Sequence, residues 1–498
     1  MNNKSDPRII SRRRFIRRAA LAAGTGLAYA SVGVRSLKAL GYRSPNEKLN
    51  IAGIGAGGQA FNDLGHCASE NIVALADVDR KRGQAGFNKW EKAARYDDFR
   101  RMLDKEHKNI DAVVIAIPDH MHATAALWCM QLGLHVYLEK PLTRTAWEAR
   151  LLTRASRQFN VATQMGNQGY SHDATRVACE IFWSGEIGEV REVHAWIGAA
   201  GWPQGMQKIP PPSPVPETLN WDLWLGGAES RPFTAGDDEY RAFIGDKFAK
   251  EDFGFYLPSR WRGFPDFGSS LIGDWGIHIL GPANWALQLG PEYLVSVECI
   301  QKDAPLTLTF PNVLTLRYEF GARPGGLPPV TVNWYHHPGG DAYLPPGMTA
   351  EEARKIPGTG PQVGPVGKSG GGYNCIFVGS KGYLGTSGRG EGVGLLPGSR
   401  WAEYKLPAPS LSRSPGASEG DNHAAHVRDW MRACKGGAAS CSNFGLAGKY
   451  TEWLILGAAA VHYDGKLLWD HQKGEFSNNS EANRWVTPKF RKGWEIKL

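Results

Sequence analysis

The sequence lacks the cysteine spacing of a zinc ribbon or a redox motif. Its seven cysteines never occur as Cys-x-x-Cys, and an odd number leaves at least one thiol unpaired. Only Cys434 and Cys441, which flank the Lys435-Gly436-Gly437 turn, are close enough in sequence to suggest a disulfide. We expect most of the cysteines to be small buried hydrophobic residues.

The chain also lacks a charge excess once its amino terminus is set aside. Its formal net charge is +8, but seven basic residues and one acid precede residue 31, which leaves only +2 for the rest. Binding to nucleic acid needs a basic surface, so we expect no nucleic-acid partner. The 42% hydrophobic and 21% charged content is that of a soluble globular protein, and 498 residues allow two domains.

No long apolar run follows the basic amino terminus. Residues 19–34 are weakly apolar and too short to span a membrane as a stable helix. Ser11-Arg12-Arg13-Arg14-Phe15-Ile16 resembles a twin-arginine export signature, and Ala28-Tyr29-Ala30 is a candidate cleavage site. We interpret residues 1–30 as a signal segment, with a disordered basic tail as the alternative, and residues 31–47 as a linker. Export to the periplasm, with no membrane anchor after processing, is the expectation.

A glycine-rich turn after a short strand is the first sign of a nucleotide site. The apolar run Leu49–Ile54 predicts the strand, and Gly55-Ala56-Gly57-Gly58-Gln59-Ala60 follows it as G-x-G-x-x-A. Gly55 suits the tight turn, Gly57 the approach of a pyrophosphate, and Ala60 the packing of the next helix.

An acid at the expected distance strengthens this interpretation over an ordinary structural turn. A second apolar run, Ile72–Ala76, ends in Asp77, twenty residues beyond Gly57, where a carboxylate binds the ribose hydroxyls. Asp77 favours NAD because it repels a 2′-phosphate, although Arg80-Lys81-Arg82 could neutralise one. We expect NAD, with NADP as the alternative.

Strands and helices then alternate up to residue 163. Asp111–Ile117 predicts a buried strand with the exit loop Pro118-Asp119-His120-Met121-His122, Ala123–Leu132 a helix, and His135–Leu138 the next strand. This alternation indicates an α/β fold with a parallel sheet and right-handed crossovers. We assign residues 48–163 to an NAD(P)-binding Rossmann domain, with Pro118 and Lys140 beside the nicotinamide.

Lys140 is the first catalytic candidate. It lies in Tyr137-Leu138-Glu139-Lys140-Pro141, at the carboxyl end of a predicted buried strand, where open α/β sheets bind ligands. Desolvation of a lysine amine favours its neutral form, which suits general acid–base chemistry. A solvated lysine in an ordinary turn is the alternative.

Gly273-Asp274-Trp275-Gly276-Ile277-His278 is the second chemical motif. If Ser269–Leu289 is helical, residues four apart share a face, so Asp274 would orient the His278 imidazole in a proton relay. A surface ion pair or a core hydrogen bond is the alternative.

A zinc site is a further alternative to this relay. Zinc would need Asp274, His278 and a third ligand, and only that one pair has regular spacing. Lys140 would also repel a dication. The third zinc ligand would be His120, His122, His172, His423 or His426. We therefore expect no metal.

Aromatic residues crowd the segment between residues 202 and 275. The chain has 18 tryptophans, and flat rings with a few fixed polar groups suit the faces of a sugar. Core packing explains each ring equally well. Arg262 and Asp266 are the predicted substrate contacts in this segment.

Taken together, the motifs resemble the Gfo/Idh/MocA family, the glucose–fructose oxidoreductase and inositol dehydrogenase group. The resemblance rests on Gly55-Ala56-Gly57-Gly58, Ile117-Pro118-Asp119-His120-Met121-His122, Glu139-Lys140-Pro141 and the D-x-G-x-H of Asp274–His278. It implies a second domain with a large, mostly antiparallel sheet that covers the nicotinamide. Members often carry an acid three residues past the histidine, where this chain has Gly281.

The motifs, the aromatic-rich segment and the resemblance together predict roles for individual residues. Lys140, Asp274 and His278 would be catalytic. The substrate contacts would be Lys140, Arg262, Asp266, Asp274 and His278. The cofactor contacts would be Gly55, Gly57, Gly58, Gln59, Ala60, Asp77, Pro118, Asp119, His122, Glu139, Lys140, Gln164 and Asn167.

Residues 164–498 are the predicted substrate and oligomerisation domain. Period-two patterns predict strands at Val193–Ile197, Leu314–Phe320 and Val330–Trp334, and we expect a homo-oligomer through this sheet. The Gly/Pro-rich stretch 321–372 predicts a long loop that serves as a lid or an oligomer contact, or is disordered.

The sequence thus predicts an NAD(P)-dependent oxidoreductase that moves hydride between a nicotinamide and a sugar or polyol-like alcohol. Because free cofactor is scarce outside the cytoplasm, we expect it to be tightly retained. Redox-assisted glycoside cleavage, as in some relatives, is one alternative. A non-catalytic sugar sensor is the other, and the presence of Lys140, Asp274 and His278 argues against it.

Overall fold

The computed structural model describes residues 47–198, 202–245, 254–337, 343–356, 360–361, 363, 372–414, 417 and 421–498. Residues 48–498 form one compact unit. The predicted signal segment and all of the linker except Glu47 lie outside the described residues. Within the described part, no helix combines the length and apolar character needed to cross a bilayer.

Six parallel strands form the first sheet, in the spatial order β3-β2-β1-β4-β5-β6. Its central strands are almost wholly buried because both faces are covered. The predicted parallel α/β sheet is confirmed, and its last strand spans the boundary predicted between Thr163 and Gln164. The strands are β1 (Asn50–Ile54), β2 (Asn71–Ala76), β3 (Ala94–Tyr96), β4 (Ala112–Ile115), β5 (His135–Glu139) and β6 (Thr163–Gly166).

Five helices connect these strands, and side-chain caps start three of them. The Asp79 and Asp98 carboxylates accept hydrogen bonds from first-turn N–H groups, and Thr145 and Glu148 form a capping box. The helices are α1 (Gly58–His66), α2 (Arg80–Lys89), α3 (Phe99–Glu106), α4 (His122–Gln131) and α5 (Ala146–Gln158).

The second sheet has nine strands in the order β13-β12-β11-β7-β10-β9-β8-β14-β15. Among the described residues, all its neighbouring pairs are antiparallel except β7 with β10. The predicted large, mostly antiparallel sheet is therefore confirmed. Its strands are β7 (Val190–Ile197), β8 (Leu294–Lys302), β9 (Leu314–Phe320), β10 (Val330–His336), β11 (Tyr373–Gly379), β12 (Gly382–Ser387), β13 (Val393–Leu396), β14 (Gly465–Asp470) and β15 (Glu475–Phe476).

The carboxyl-terminal helices return to the first sheet. Val427, Trp430 and Met431 join the same buried cluster as Leu64 and Tyr137. The two domains therefore share core packing, which the sequence did not predict. The later helices are α6 (Asp173–Trp183), α7 (Trp221–Leu225), α8 (Asp238–Ile244), α9 (Ile277–Ile279), α10 (Gly281–Ala286), α11 (Ala350–Arg354), α12 (Gly398–Ala402), α13 (Asn422–Cys434) and α14 (Phe444–Ala460).

Three sequence predictions need correction. The predicted helix Ser269–Leu289 is broken into a π-helical turn, Ile272–Gly276, followed by α9 and α10. The stretch 321–372 is not one loop, since β10 and α11 lie within it. All seven cysteines are free, so Cys434 and Cys441 form no disulfide, and six of the seven are buried as expected.

Candidate active site

The glycine-rich turn leaves β1 at the carboxyl edge of the parallel sheet. Gly55 has φ +93°, and a Cβ there would lie 2.5 Å from the Ala116 carbonyl oxygen. A Cβ at Gly57 would lie 1.9 Å from the Arg82 carbonyl oxygen, so neither position accepts a side chain. Helix α1 begins at Gly58, where the surrounding space is open. An open helix amino terminus of this kind suits a phosphate group.

Asp77 lies directly beside this turn. Its carboxylate accepts hydrogen bonds from the backbone N–H groups of Ala56 at 2.9 Å and Asp79 at 3.0 Å. Burial raises the pKa of Asp77 to about 6, against these hydrogen bonds, which lower it. The structure therefore brings the predicted ribose-binding acid to the predicted pyrophosphate turn.

Lys140 and Asp274, 134 positions apart in the chain, meet at the end of β5. The Lys140 Nζ donates to Asp274 Oδ1 at 2.5 Å and to the Asp274 carbonyl oxygen at 3.2 Å. Arg262 Nε donates to the same Oδ1 at 3.0 Å. Burial would raise the pKa of the Asp274 carboxyl, but attraction to Lys140 and Arg262 outweighs it and holds the pKa well below its usual value. Asp274 is therefore an anion between two cations.

The predicted hydrogen bond from Asp274 to His278 is not present. Among the described residues, the Asp274 side chain accepts only from Lys140 and Arg262, and the buried His278 Nδ1 has no partner. Charge-assisted hydrogen bonds from cations are stronger than one from a neutral imidazole, so the carboxylate turns toward the lysine and the arginine.

His278 is a neutral, buried base in this arrangement. Burial lowers its pKa well below 6.5, and repulsion from Lys140 and Arg389 lowers it further. A neutral imidazole with an unpartnered nitrogen can accept a proton. The site thus contains a proton acceptor and an ammonium group close enough to influence each other.

Two predicted contact residues, Asp266 and His122, have protein partners in the structure. Asp266 Oδ2 accepts from Arg231 at 2.6 Å, at a partly exposed position. The His122 ring lies between the carbonyl oxygens of Pro141, 2.8 Å away, and Ile117, 2.7 Å away, so it joins the exit loops of β4 and β5. The substrate contact predicted for Asp266 and the cofactor contact predicted for His122 stay predictions.

Gln164 lies within β6 and Asn167 just beyond its end, and their side chains have different surroundings. The Gln164 amide is buried and hydrogen-bonds His426 and the Ser442 N–H, so it anchors α13; its predicted cofactor contact stays a prediction. Both polar atoms of the Asn167 amide are buried and have no hydrogen-bond partner in the described structure. Because orphaned buried amides are costly, Asn167 is a candidate for ligand contact.

The other predicted cofactor residues surround the carboxyl edge of the parallel sheet. Ala60 is buried and packs near Gly55, as its helix-packing role requires. Gln59 Nε2 donates to Asp63. Glu139 is buried and accepts from Gln168 at 2.8 Å, and Pro118 immediately precedes the short helical turn that carries Asp119.

Most of the aromatic residues between 202 and 275 form core rather than a binding face. Their rings contact one another in one buried cluster, and Trp221 stacks on Trp224 with centroids 4.8 Å apart. Trp261 is the member nearest the charged site, since the Arg262 guanidinium lies 4.2 Å from its ring centroid. The cluster therefore supports the loop that presents Arg262.

Sequence reasoning missed Asp63, Gln168 and Arg389. Asp63 is buried on α1, four residues after Gln59, a spacing that places both on one helix face. Arg389, between β12 and β13, lies 5.5 Å from the Trp275 ring centroid and affects His278. No local motif marks Arg389, because only the second sheet brings it here.

Asp119 gives a test of the electrostatics. Burial raises its pKa from 3.8 to about 8, so the folded chain keeps a proton that the unfolded chain releases above pH 4. Stability from this group is therefore present below pH 4 and is lost as the pH rises to 8. Since each pKa unit is worth about 1.4 kcal/mol, we expect the melting temperature to fall less between pH 5 and 8 in Asp119→Asn than in the wild type.

Thermal unfolding followed by circular dichroism measures this difference. The exposed Asp104 on α3 supplies the control, and Asp104→Asn should follow the wild-type curve. Parallel pH profiles for wild type and Asp119→Asn would contradict the assigned shift.

Comparison with known proteins identifies the first domain. Residues 48–167 match the Gfo/Idh/MocA family model, an oxidoreductase family with an NAD-binding Rossmann fold. This part of the chain is therefore similar to the NAD-binding Rossmann domain of that family.

Curated relatives match over the same region. A dTDP-3,4-didehydro-2,6-dideoxy-α-D-glucose 3-reductase of Saccharopolyspora spinosa is 32% identical over 161 residues, which are 32% of this chain and 44% of that protein. The inositol 2-dehydrogenase of Salmonella paratyphi B is 28% identical over 151 residues, which are 30% of this chain and 44% of that protein. The chain thus spans less than half the length of these relatives.

Solved structures extend the likeness to the second sheet. The WlbA dehydrogenase of Chromobacterium violaceum, solved with NADH and UDP-GlcNAcA, superposes with a TM-score of 0.56 at 13% identity. The match covers 86% of this chain and 98% of that chain. At this identity, the likeness shows a shared fold that includes both sheets.

Proposed function

We propose that the chain is an NAD-dependent oxidoreductase of the Gfo/Idh/MocA family that transfers hydride between the nicotinamide and a sugar or polyol-like alcohol. One observation carries the proposal. Lys140 of Glu139-Lys140-Pro141 binds Asp274 of the D-x-G-x-H motif at the carboxyl edge of the NAD-binding sheet, where α/β sheets bind their ligands. The names of the reductase and inositol dehydrogenase relatives support the substrate class.

The chain's own residues fit NAD. The open space at Gly58 suits the pyrophosphate, and Asp77 beside it suits the two ribose hydroxyls and disfavours a 2′-phosphate. Asn167 has a buried amide without a protein partner at the end of the neighbouring β6. These residues would hold the cofactor along the carboxyl ends of the parallel strands.

The proposed mechanism divides two tasks between two side chains. A bound nicotinamide supplies the hydride acceptor or donor. Burial and nearby cations keep His278 neutral in the free protein, so its imidazole is available to take the proton of the substrate hydroxyl. Lys140 hydrogen-bonds the oxygen as negative charge develops on it. Asp274 acts as a positioning residue, since it holds Lys140 and Arg262 at fixed distances.

Export, cofactor retention and assembly complete the proposal. The motif Ser11–Ile16 supports export by the twin-arginine route to the periplasm. An exported enzyme needs a tightly retained cofactor, which one substrate could reduce and another reoxidise. We also propose a homo-oligomer that assembles through the second sheet.

The test begins with the full-length protein as purified. We expect denaturation to release NAD or NADH rather than the 2′-phosphorylated form, detected by chromatography and mass spectrometry. Incubation with a panel of sugars and polyols should then change the 340 nm absorbance of the bound cofactor. A protein that neither retains nor binds added NAD would contradict the proposal. Release of free sugar from a glycoside without net cofactor reduction would instead support redox-assisted cleavage.

A further inference from the structure

A cluster of three potential metal ligands lies where α1, β5 and α13 meet. Asp63 comes from α1, Glu139 ends β5, and His423 is in the first turn of α13. One ligand atom from each side chain lies within 4.8 Å of the others. Of these three, only His423 was considered as a ligand from the sequence, and there in combination with Asp274 and His278. The sequence does not suggest the cluster, because 360 positions separate Asp63 from His423 and only the return of α13 joins them.

Hydrogen bonds hold the two carboxylates in place. The His423 Nε2 lies 2.6 Å from Asp63 Oδ1, which also accepts from Gln59 at 2.9 Å. Glu139 accepts from Gln168 at 2.8 Å and from the Lys140 N–H at 3.1 Å. Gln59, Gln168 and the Lys140 N–H are not ligands themselves, and metal ligands are commonly oriented by hydrogen bonds from such neighbouring groups. The bond between His423 and Asp63 joins two of the ligands, so a bound metal would replace it.

One ligand atom has no partner. Asp63 is fully buried, and its Oδ2 makes no hydrogen bond within the described structure. A buried carboxylate oxygen without a partner costs free energy. The protein environment of Asp63 is therefore incomplete without a further positively charged or proton-donating group.

The electrostatics agree with that conclusion. Asp63 and Glu139 are both buried carboxylates and lie close together. Lys140 attracts Glu139, but its ammonium group is bound to Asp274. Within the described structure, it leaves Asp63 Oδ2 without a partner. A bound dication would stabilise both carboxylates as anions.

We propose that Asp63, Glu139 and His423 bind a divalent transition-metal cation of the zinc type. Two carboxylate oxygens and one imidazole nitrogen are a ligand set that Zn²⁺ accepts, with a fourth position left for water. The ion reaches the cluster past His423, whose side chain is 24% exposed. Bound there, it joins the nucleotide-binding helix α1 to the carboxyl-terminal helix α13.

The experiment measures metal content, so it is independent of the proposed dehydrogenase activity. The full-length protein is stripped with a chelator, dialysed against Zn²⁺, and analysed by inductively coupled plasma mass spectrometry and isothermal titration calorimetry. We expect one Zn²⁺ per chain and a melting temperature that rises when Zn²⁺ is added. Asp63→Asn and His423→Gln should each weaken binding by at least about tenfold.

His66→Gln is the matched control. The His66 ring lies 4.3 Å from the His423 ring, but His66 is not part of the cluster, so its loss should leave the affinity within about twofold. No Zn²⁺ binding to the folded wild type would overturn the proposal and show that a shared proton satisfies the carboxylates. Equal affinity in wild type and in folded His423→Gln would also overturn it, as would Mg²⁺ binding as tightly as Zn²⁺.

Discussion

Replacing Lys140 with methionine is expected to lower kcat by about 10³-fold. Methionine keeps much of the side-chain volume but removes the ammonium group that binds Asp274 at 2.5 Å and that would stabilise the developing alkoxide. The affinity for NAD, measured by fluorescence titration, should change far less. Steady-state kinetics with a substrate found by the panel, at fixed and saturating cofactor, give the ratio of kcat values.

Lys435→Met is the matched control for this variant. Lys435 binds Glu70 at 2.6 Å, and its side chain is 18% exposed, against 16% for Lys140. Loss of either ion pair should lower stability by a similar amount, so any additional loss of turnover belongs to Lys140. A Lys140→Met protein that binds NAD and turns over as fast as wild type would disprove the mechanism.

Replacing His278 with glutamine is expected to lower kcat by about 10²- to 10³-fold, because the amide cannot take the proton of the substrate hydroxyl. Since the pKa of His278 lies well below 6.5 in the free protein, its neutral form persists through neutral pH. When the pH is lowered through 6.5, we therefore expect wild-type kcat/KM to stay constant, with no apparent pKa near 6.5. Rate profiles between pH 5.5 and 9 measure both effects.

His336→Gln serves as the control for burial. His336 is fully buried on β10, and burial is the main cause that lowers its pKa to about 4, with His337 as a smaller cause. The variant tests whether loss of any buried imidazole reduces turnover. If His278→Gln retains wild-type kcat while Lys140→Met does not, Lys140 is the base and His278 is structural.

Local patterns predicted the first domain closely. The runs that predicted strands correspond to β1, β2, β4 and β5, and in the second domain the strand Leu314–Phe320 has the predicted bounds. Such elements depend on apolar periodicity and on nearby turn residues, which a short window of sequence contains. The helix through Asp274 was wrong because a π-helical turn interrupts it, and no local signal distinguishes such a turn from continuous α-helix.

For the candidate site too, the sequence predicted some features and not others. Lys140, Asp274 and His278 could be named from motifs, but which of them share hydrogen bonds could not. That outcome depended on Arg262, whose loop rests on a buried aromatic cluster, and on competition between two cations and one imidazole for a single carboxylate. The protein partners of Gln164 and His122 could not be predicted either, since they lie on other loops and helices.

The sequence by itself determined the glycine turn, the acid after the second strand, the lysine at the end of the fifth, and the parallel sheet that carries them. Steric limits at Gly55 and the alternation of apolar strands with capped helices are local properties, so they can be read from neighbouring residues. Only the tertiary structure decided that Asp274 binds Lys140 instead of His278, and that α13 brings His423 to Asp63 and Glu139. These contacts depend on burial and on charges from distant segments, whose energies exist only after the chain has packed.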